Sequence, residues 1–275
     1  NLDDIEAILR FLVQPQQGRE ADYEAAVVAA RRAVADMFAT GGPATKLSLD
    51  ANVAAVEQRA REMLNCKYAL FLANATAGFE IAYKFAALKP GDEVICPSIT
   101  FISTILFPLS QGAKIVFADV DPRTVNMDPA DVARKITDRT RMIVPVHIGG
   151  YPVDMDPIMD LAREHGIMVL EDAAHAFGAW YKGRAVGTLG HFGAYSMHEV
   201  KNITACGEGG LLVTDDDTYG PVLSLARFVG LDLSQQIPNW LYDVVCLPSE
   251  KGYAVPGNYS VTEIQAVVLL SQMQR

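Results

Sequence analysis

MVLEDAAHAFGAWYKGRAVGTLGHFGAYSMHEVKNITACGEGGLL, residues 168–212, decides how the rest of the chain is read. The apolar run Ile167–Leu170 predicts a buried strand. It ends on two carboxylates, Glu171 and Asp172, at the place where strands of an open α/β sheet present ligand groups. A second run, Gly193–Met197, predicts another strand. It delivers Ser196 and, five residues on, Lys201, before a glycine cluster at Gly207, Gly209 and Gly210.

Working outward, residues 68–212 alternate strand and helix. Strands are expected at Tyr68–Leu72, Val94–Cys96, Lys114–Ala118 and Met142–Val146. Helices are expected at Thr76–Leu88, Thr100–Ser110, Asp128–Ile136 and Pro157–His165. This pattern predicts an α/β fold, with a mostly parallel sheet, helices on both faces and right-handed crossovers. Residues 1–66 read as a helical N-terminal segment that could wrap the core or a second subunit. Within it, Ile5, Ile8, Leu9 and Leu12 share one helical face, and Asp50 is the expected cap of a helix carrying Val53, Val56, Ala60 and Met63. Past Leu212 come a short strand, a helix near Tyr219–Phe228 and a long irregular stretch, Gly230–Gly257. Loops of that length are usually functional or interfacial. Thr262 is the expected cap of a last helix that runs to Arg275.

The chain has 275 residues, half of them hydrophobic, and a net charge of −10. That balance argues against nucleic acid and against an anionic membrane surface as partners. No apolar run approaches the ~20 residues of a membrane-spanning helix. Cys66, Cys96, Cys206 and Cys246 form no CxxC or zinc pattern. They read as free thiols, and a cytoplasmic location is expected. No metal site is expected. The first residues do not read as a basic, apolar signal peptide. The sequence does not start with Met, so it reads as beginning inside a longer gene product.

An acid at one strand end and a lysine shortly after another form the arrangement a pyridoxal phosphate site needs. The lysine carries the cofactor as a Schiff base, and the carboxylate keeps the pyridine nitrogen protonated. Lys201 needs a desolvated or electropositive setting to act as a nucleophile. Asp172 fits either that acid or an ordinary helix N-cap. His175 fits either a hydrogen bond to the cofactor's phenolic oxygen or a satisfied core histidine. Asn74-Ala75-Thr76-Ala77-Gly78, between strand and helix, is the best phosphate cradle in the chain, or an ordinary capped helix start. Ser196 could add a hydroxyl to the same phosphate. Phe101 fits either stacking on a ring or the core. Gly207-Glu208-Gly209-Gly210 precedes a strand, so it is not a dinucleotide fingerprint. No P-loop, zinc-helix or G-x-S-x-G motif occurs.

EDAAHAFGA, residues 196–202 and Gly207–Gly210 resemble the DegT/StrS sugar aminotransferases, pyridoxal phosphate enzymes of fold type I. The likeness extends through Asn74–Gly78, PSITF at 97–101, FADVDP at 117–122, PVHIGGYPVDMDPI at 145–158 and NYSVTEIQA at 258–266. It covers about residue 44 onward. The resemblance implies a three-layer sandwich, with a PLP-binding large domain at 67–260 and, at 261–275, the start of a helix leading to a C-terminal small domain absent from this sequence. It implies Lys201 as Schiff-base lysine and proton shuttle, and Asp172 at the pyridine nitrogen. It also implies His175 at the cofactor oxygen, Ser196, Thr76 and Ala77 at the phosphate, and Phe101 on the ring. Family members are homodimers with shared sites, which makes Asn258, then Asn239, the candidates to reach the partner's cofactor. Members that replace the lysine by His are dehydratases; this chain keeps Lys201. Two departures stand out. Asn74-Ala75-Thr76 replaces the usual Gly before the Thr, and Ser260 stands where many relatives have Arg. The implied activity is amino transfer from glutamate or glutamine to a keto-sugar, nucleotide-linked. A cyclitol aminotransferase or another PLP-dependent sugar-modifying enzyme, such as one doing elimination, stands as the alternative, and in a different class a PLP-bound regulator without turnover.

Overall fold

The computed structural model describes residues 2–42, 46–233 and 245–275. The chain divides into two compact units, 1–46 and 47–275. In the first, α1 (Leu2–Leu12) and α2 (Glu20–Thr40) form a hairpin. Arg10 bridges Glu6 and Glu24, and Arg31 bridges Asp3 and Glu6.

The second unit begins with α3 (Ala51–Leu64) and continues as β1 (Tyr68–Leu72), α4 (Ala75–Ala86), β2 (Glu93–Pro97), α5 (Ser103–Ser110), β3 (Lys114–Ala118) and α6 (Pro129–Lys135). Next come β4 (Thr140–Ile143), α7 (Met155–His165) and β5 (Met168–Asp172), then the short pair β6 (Trp180–Tyr181) and β7 (Arg184–Ala185). The chain goes on through β8 (Phe192–Ser196), β9 (Gly210–Thr214), α8 (Leu223–Arg227), the hairpin β10 (Leu247–Ser249) and β11 (Gly252–Ala254), and α9 (Glu263–Met273). The central sheet has the order β1-β9-β8-β5-β4-β2-β3. Only β9 runs against its neighbours in it.

Strand alternation builds the three expected layers. Leu70, Leu72, Val94, Cys96, Leu170 and Leu212 face one way, onto Phe79, Ala82 and Phe85 of α4. Phe71, Tyr195, Leu211 and Val213 face the other way, onto α3 and α9. Beside them Ile95, Ile143 and Val169 meet α6 and α7. Strands covered on both faces need apolar residues at every position, which is why they read as continuous apolar runs.

Four differences from the sequence reading have clear causes. The unit boundary falls at Lys46/Leu47 rather than 66/67, because Val53, Val56, Ala60 and Leu64 of α3 sit in the same core as β1 and β9. The helix after β2 starts at Ser103 instead of Thr100, since Thr100–Ile102 are spent on the turn out of the strand. The Asp50 side chain makes no capping bond to α3. The buried carboxylate of Glu263, at the start of α9, accepts from the amides of Asp50, Asn52 and Val53 and from the Asn52 side chain. The stretch 230–257 contains the β10–β11 hairpin; Asn239 lies outside the described residues.

Candidate active site

The six loops at one edge of the sheet converge on a cavity of about 610 Å³, a size suited to a small-molecule site. Its walls come from Asn74–Thr76 after β1, Ile99–Ser103 after β2, Val146–Ile148 after β4, Asp172–His175 after β5, Ser196–Lys201 after β8, and Glu208 before β9. Five of these follow the carboxyl ends of strands running the same way, where open α/β sheets bind ligands.

Asp172 is 4% exposed. Its Oδ2 accepts from Thr104 Oγ1 at 2.7 Å and its Oδ1 from the Ala174 amide at 3.2 Å. No helix follows it, so the N-cap reading falls and the acid at a strand end remains. Burial pushes its carboxyl above the ordinary value, against the pull of those two hydrogen bonds and of His147 and His175. A cation placed against it would relieve that cost.

His175 is half-buried, and its Nδ1 accepts from the Gly149 amide at 3.3 Å, leaving the proton on Nε2. Burial lowers its pKa, and the charge of Lys201 lowers it further. Gly150 lets two backbone segments approach closely: a Cβ there would sit 2.9 Å from the His175 carbonyl oxygen, and φ is +80°.

The sequence reading missed His147, which lines the cavity and is fully buried. Its Nδ1 accepts from the Val153 amide at 3.1 Å, so Nε2 carries the proton and donates to Glu171 Oε2 at 3.0 Å. Glu171, also fully buried, accepts in addition from the amides of Gly187, Leu189 and Gly190. The neighbouring acids thus divide their work. Asp172 faces the cavity, and Glu171 ties the opposite side of the strand to the 187–190 loop. The signal for His147 was its place in PVHIGG, between a strand and a glycine pair.

Lys201 is half-buried and lines the same cavity as Asp172 and His175. Its loop is fastened at both ends. Met197 donates to the Gly209 carbonyl, Ala205 to that of Met197, and the Asn202 side chain to that of Phe177 at 2.8 Å. Ser196, buried at the end of β8, also faces the cavity.

Asn74 caps α4 by accepting from the Ala77 amide at 2.9 Å. The amide of Ala77 is therefore engaged, and Ala77 does not line the cavity, whereas Asn74, Ala75 and Thr76 do. The amides of Ala75 and Thr76 open the helix and have no carbonyl four residues back within it. Thr76 Oγ1 donates to Ser103 Oγ at 3.0 Å. Gly210 makes this turn possible: a Cβ on it would lie 2.3–2.5 Å from the backbone of Asn74 and Ala75. Phe101 is no core aromatic; it is 71% exposed on the cavity wall. Asn258 is exposed and lies outside this cavity, its Oδ1 accepting from Ser260 Oγ at 2.7 Å. The rest of the 258–266 motif fastens the site. Tyr259 O accepts from Ala73, and Gln265 Nε2 donates to the Glu208 carbonyl at 2.6 Å.

A buried acid raised by desolvation, a lysine on the same cavity and a helix start kept open by a glycine are what a phosphorylated pyridinium aldehyde requires. These features place the chain among the α/β enzymes of fold type I, which use pyridoxal 5′-phosphate. Comparison with known proteins agrees. Residues 35–275 match the model of the DegT/DnrJ/EryC1/StrS aminotransferase family, and the chain belongs to that family. It is 40% identical over 210 residues to GDP-perosamine synthase of Caulobacter vibrioides, covering 76% of this chain and 53% of that one. It is 36% identical over 234 residues to the spore coat polysaccharide biosynthesis protein SpsC of Bacillus subtilis, covering 83% and 58%. An aminotransferase from Psychrobacter cryohalolentis superposes with a TM-score of 0.75 at 32% identity, covering 95% of this chain and 62% of that one. The chain thus spans little more than half the length of these curated relatives.

Proposed function

We propose that the whole protein transfers an amino group from glutamate or glutamine to a nucleotide-linked keto-sugar in amino-sugar biosynthesis. The observation that carries this reading is the convergence of Lys201, Asp172, His175 and the start of α4 on one cavity. The sugar-directed relatives, GDP-perosamine synthase and SpsC, support the substrate class.

When bound, pyridoxal phosphate supplies an electrophilic carbon and an electron sink. Lys201 would hold the group covalently and could move a proton as general acid–base. Asp172 offers a carboxylate whose burial makes a cationic partner favourable. His175, whose Nδ1 is taken by the Gly149 amide, would offer its Nε2–H to an oxygen of the cofactor. The open amides of Ala75 and Thr76, with the hydroxyl of Ser196, accept the phosphate. Phe101 presents a ring face at the wall. In a homodimer, the exposed Asn258 would reach the site of the second copy.

The test is to incubate the protein with PLP, glutamate and a panel of nucleotide-linked keto-sugars while following 2-oxoglutarate. Product with a keto-sugar, lost in Lys201→Ala, supports the reading. Equal turnover by Lys201→Ala refutes it. Imine absorbance without reaction with any amino donor would instead favour a regulator without turnover.

A further inference from the structure

Thr104 carries a fully buried hydroxyl with three oxygens within reach. Asp172 Oδ2 lies at 2.7 Å, the Phe101 carbonyl at 2.9 Å and Thr100 Oγ1 at 2.6 Å. A threonine hydroxyl has one proton to give. If Asp172 is ionised, that proton goes to Oδ2, and Thr100 donates to Thr104 in turn. If Asp172 takes up a proton at Oδ2, it becomes the donor, and Thr104 turns its own proton to the Phe101 carbonyl or to Thr100 Oγ1, which can then donate to the same carbonyl at 3.4 Å. The backbone around this hydroxyl is fixed: Tyr83 Oη donates to the Thr104 carbonyl at 2.6 Å, and the Thr104 amide donates to Phe101 O at 3.2 Å.

We infer that Thr104 is the positioning residue for Asp172, and that the hydroxyl chain Thr100–Thr104 holds this carboxylate ionised and aimed at the cavity while tying it to the turn that carries Phe101. The inference rests on the reading of Asp172 as the acid opposite a pyridinium. The chain is needed because burial works against the charge. The other ionisable groups around Asp172 are His147, from the loop after β4, and His175, on its own loop. Cys96 on β2 and Tyr83 on α4 complete them, and both feel its charge. Lys201 lines the same cavity. Of all these, none hydrogen-bonds a carboxylate oxygen of Asp172 among the described residues; Thr104 and the Ala174 amide do.

The test uses the full chain freed of cofactor. The infrared carbonyl band of a protonated carboxyl is titrated against pH and assigned by its loss in Asp172→Asn. PLP affinity is then measured by fluorescence quenching. Thr104→Val should raise the Asp172 midpoint by about one pH unit and, with affinity read at a pH below both midpoints, weaken PLP about tenfold, since one such unit is a tenfold bias between protonation states. Thr104→Ser, which keeps the hydroxyl, should restore both. Thr100→Val, at a less buried position, should move the midpoint in the same direction by a smaller amount, and it decides the matter if Thr104→Val does not fold. An unchanged midpoint in Thr104→Val, or in Thr100→Val if that is the variant that folds, would overturn the inference, as would failure of Thr104→Ser to restore. If wild-type protein bound no PLP while the midpoints moved as described, the functional reading would fail and the positioning role would stand.

Discussion

Glu171 and Asp172 show how much a single step along a strand decides. Consecutive side chains of a strand point to opposite faces, so one acid meets the cavity and the other meets the 187–190 loop. Glu171 satisfies four donors in a dry environment. Glu171→Gln would turn one acceptor into an NH₂ facing an N–H. The expected outcome is a loss of about 3 kcal/mol of stability, with PLP binding weakened through His147. Urea unfolding with an unchanged m-value measures the first. Lys201, Asp172, His175, Ser196 and Thr76 were legible as candidates for one cavity because they sit at or just past strand ends in recognisable local strings. Thr104 was not, because its partner Asp172 is 68 positions away and nothing local marks the pairing. His147 carried a local signal in PVHIGG, but that string does not show its partner, 24 positions on. Ala77 sat within the right string, but the side chain of Asn74 had already claimed its amide.

At the scale of elements, the turn from β1 into α4 depends on the strand beside it. Gly210→Ala would drive a Cβ into the backbone of Asn74 and Ala75, which cannot give way as a flexible side chain can. PLP affinity should fall more than tenfold while far-UV circular dichroism stays near wild type. An affinity equal to wild type would show that the turn is not the phosphate site. The start of α3 depends on Glu263 in the same non-local way. Burial disfavours its charge, but the Asn52 side chain and the amides of Asp50, Asn52 and Val53 outweigh this and hold its pKa below the ordinary value. A carboxyl lowered on folding stabilises above its unfolded pKa and loses that contribution as pH falls through the folded one. Glu263→Gln should therefore cost about 1–2 kcal/mol at pH 7, with the gap to wild type closing below about pH 4. Denaturation at the two pH values reads this directly. Strand positions were legible because buried runs are apolar throughout. The cap of α3 was misread because a local Asp was available and the true acceptor lies 210 or more positions away.

Across the whole molecule, the βαβ alternation was enough to give the layers and the largely parallel sheet. The unit boundary was not legible, because α3 reads as one more N-terminal helix until its apolar face is seen in the core with β1, β9 and α9. The site draws residues from each of six loops, so its integrity reports on the entire unit 47–275. A ligand that binds only the folded state raises stability by mass action. PLP at a hundred times its dissociation constant should thus add about 2.7 kcal/mol to the wild type, and less to Asp172→Asn.

The most direct measurement is borohydride reduction of the protein incubated with PLP, followed by peptide mapping. The account requires a pyridoxyl group fixed on Lys201 and lost visible absorbance, with no labelling in Lys201→Ala. Protein that stays colourless with PLP, or a label that maps to another lysine, would contradict it.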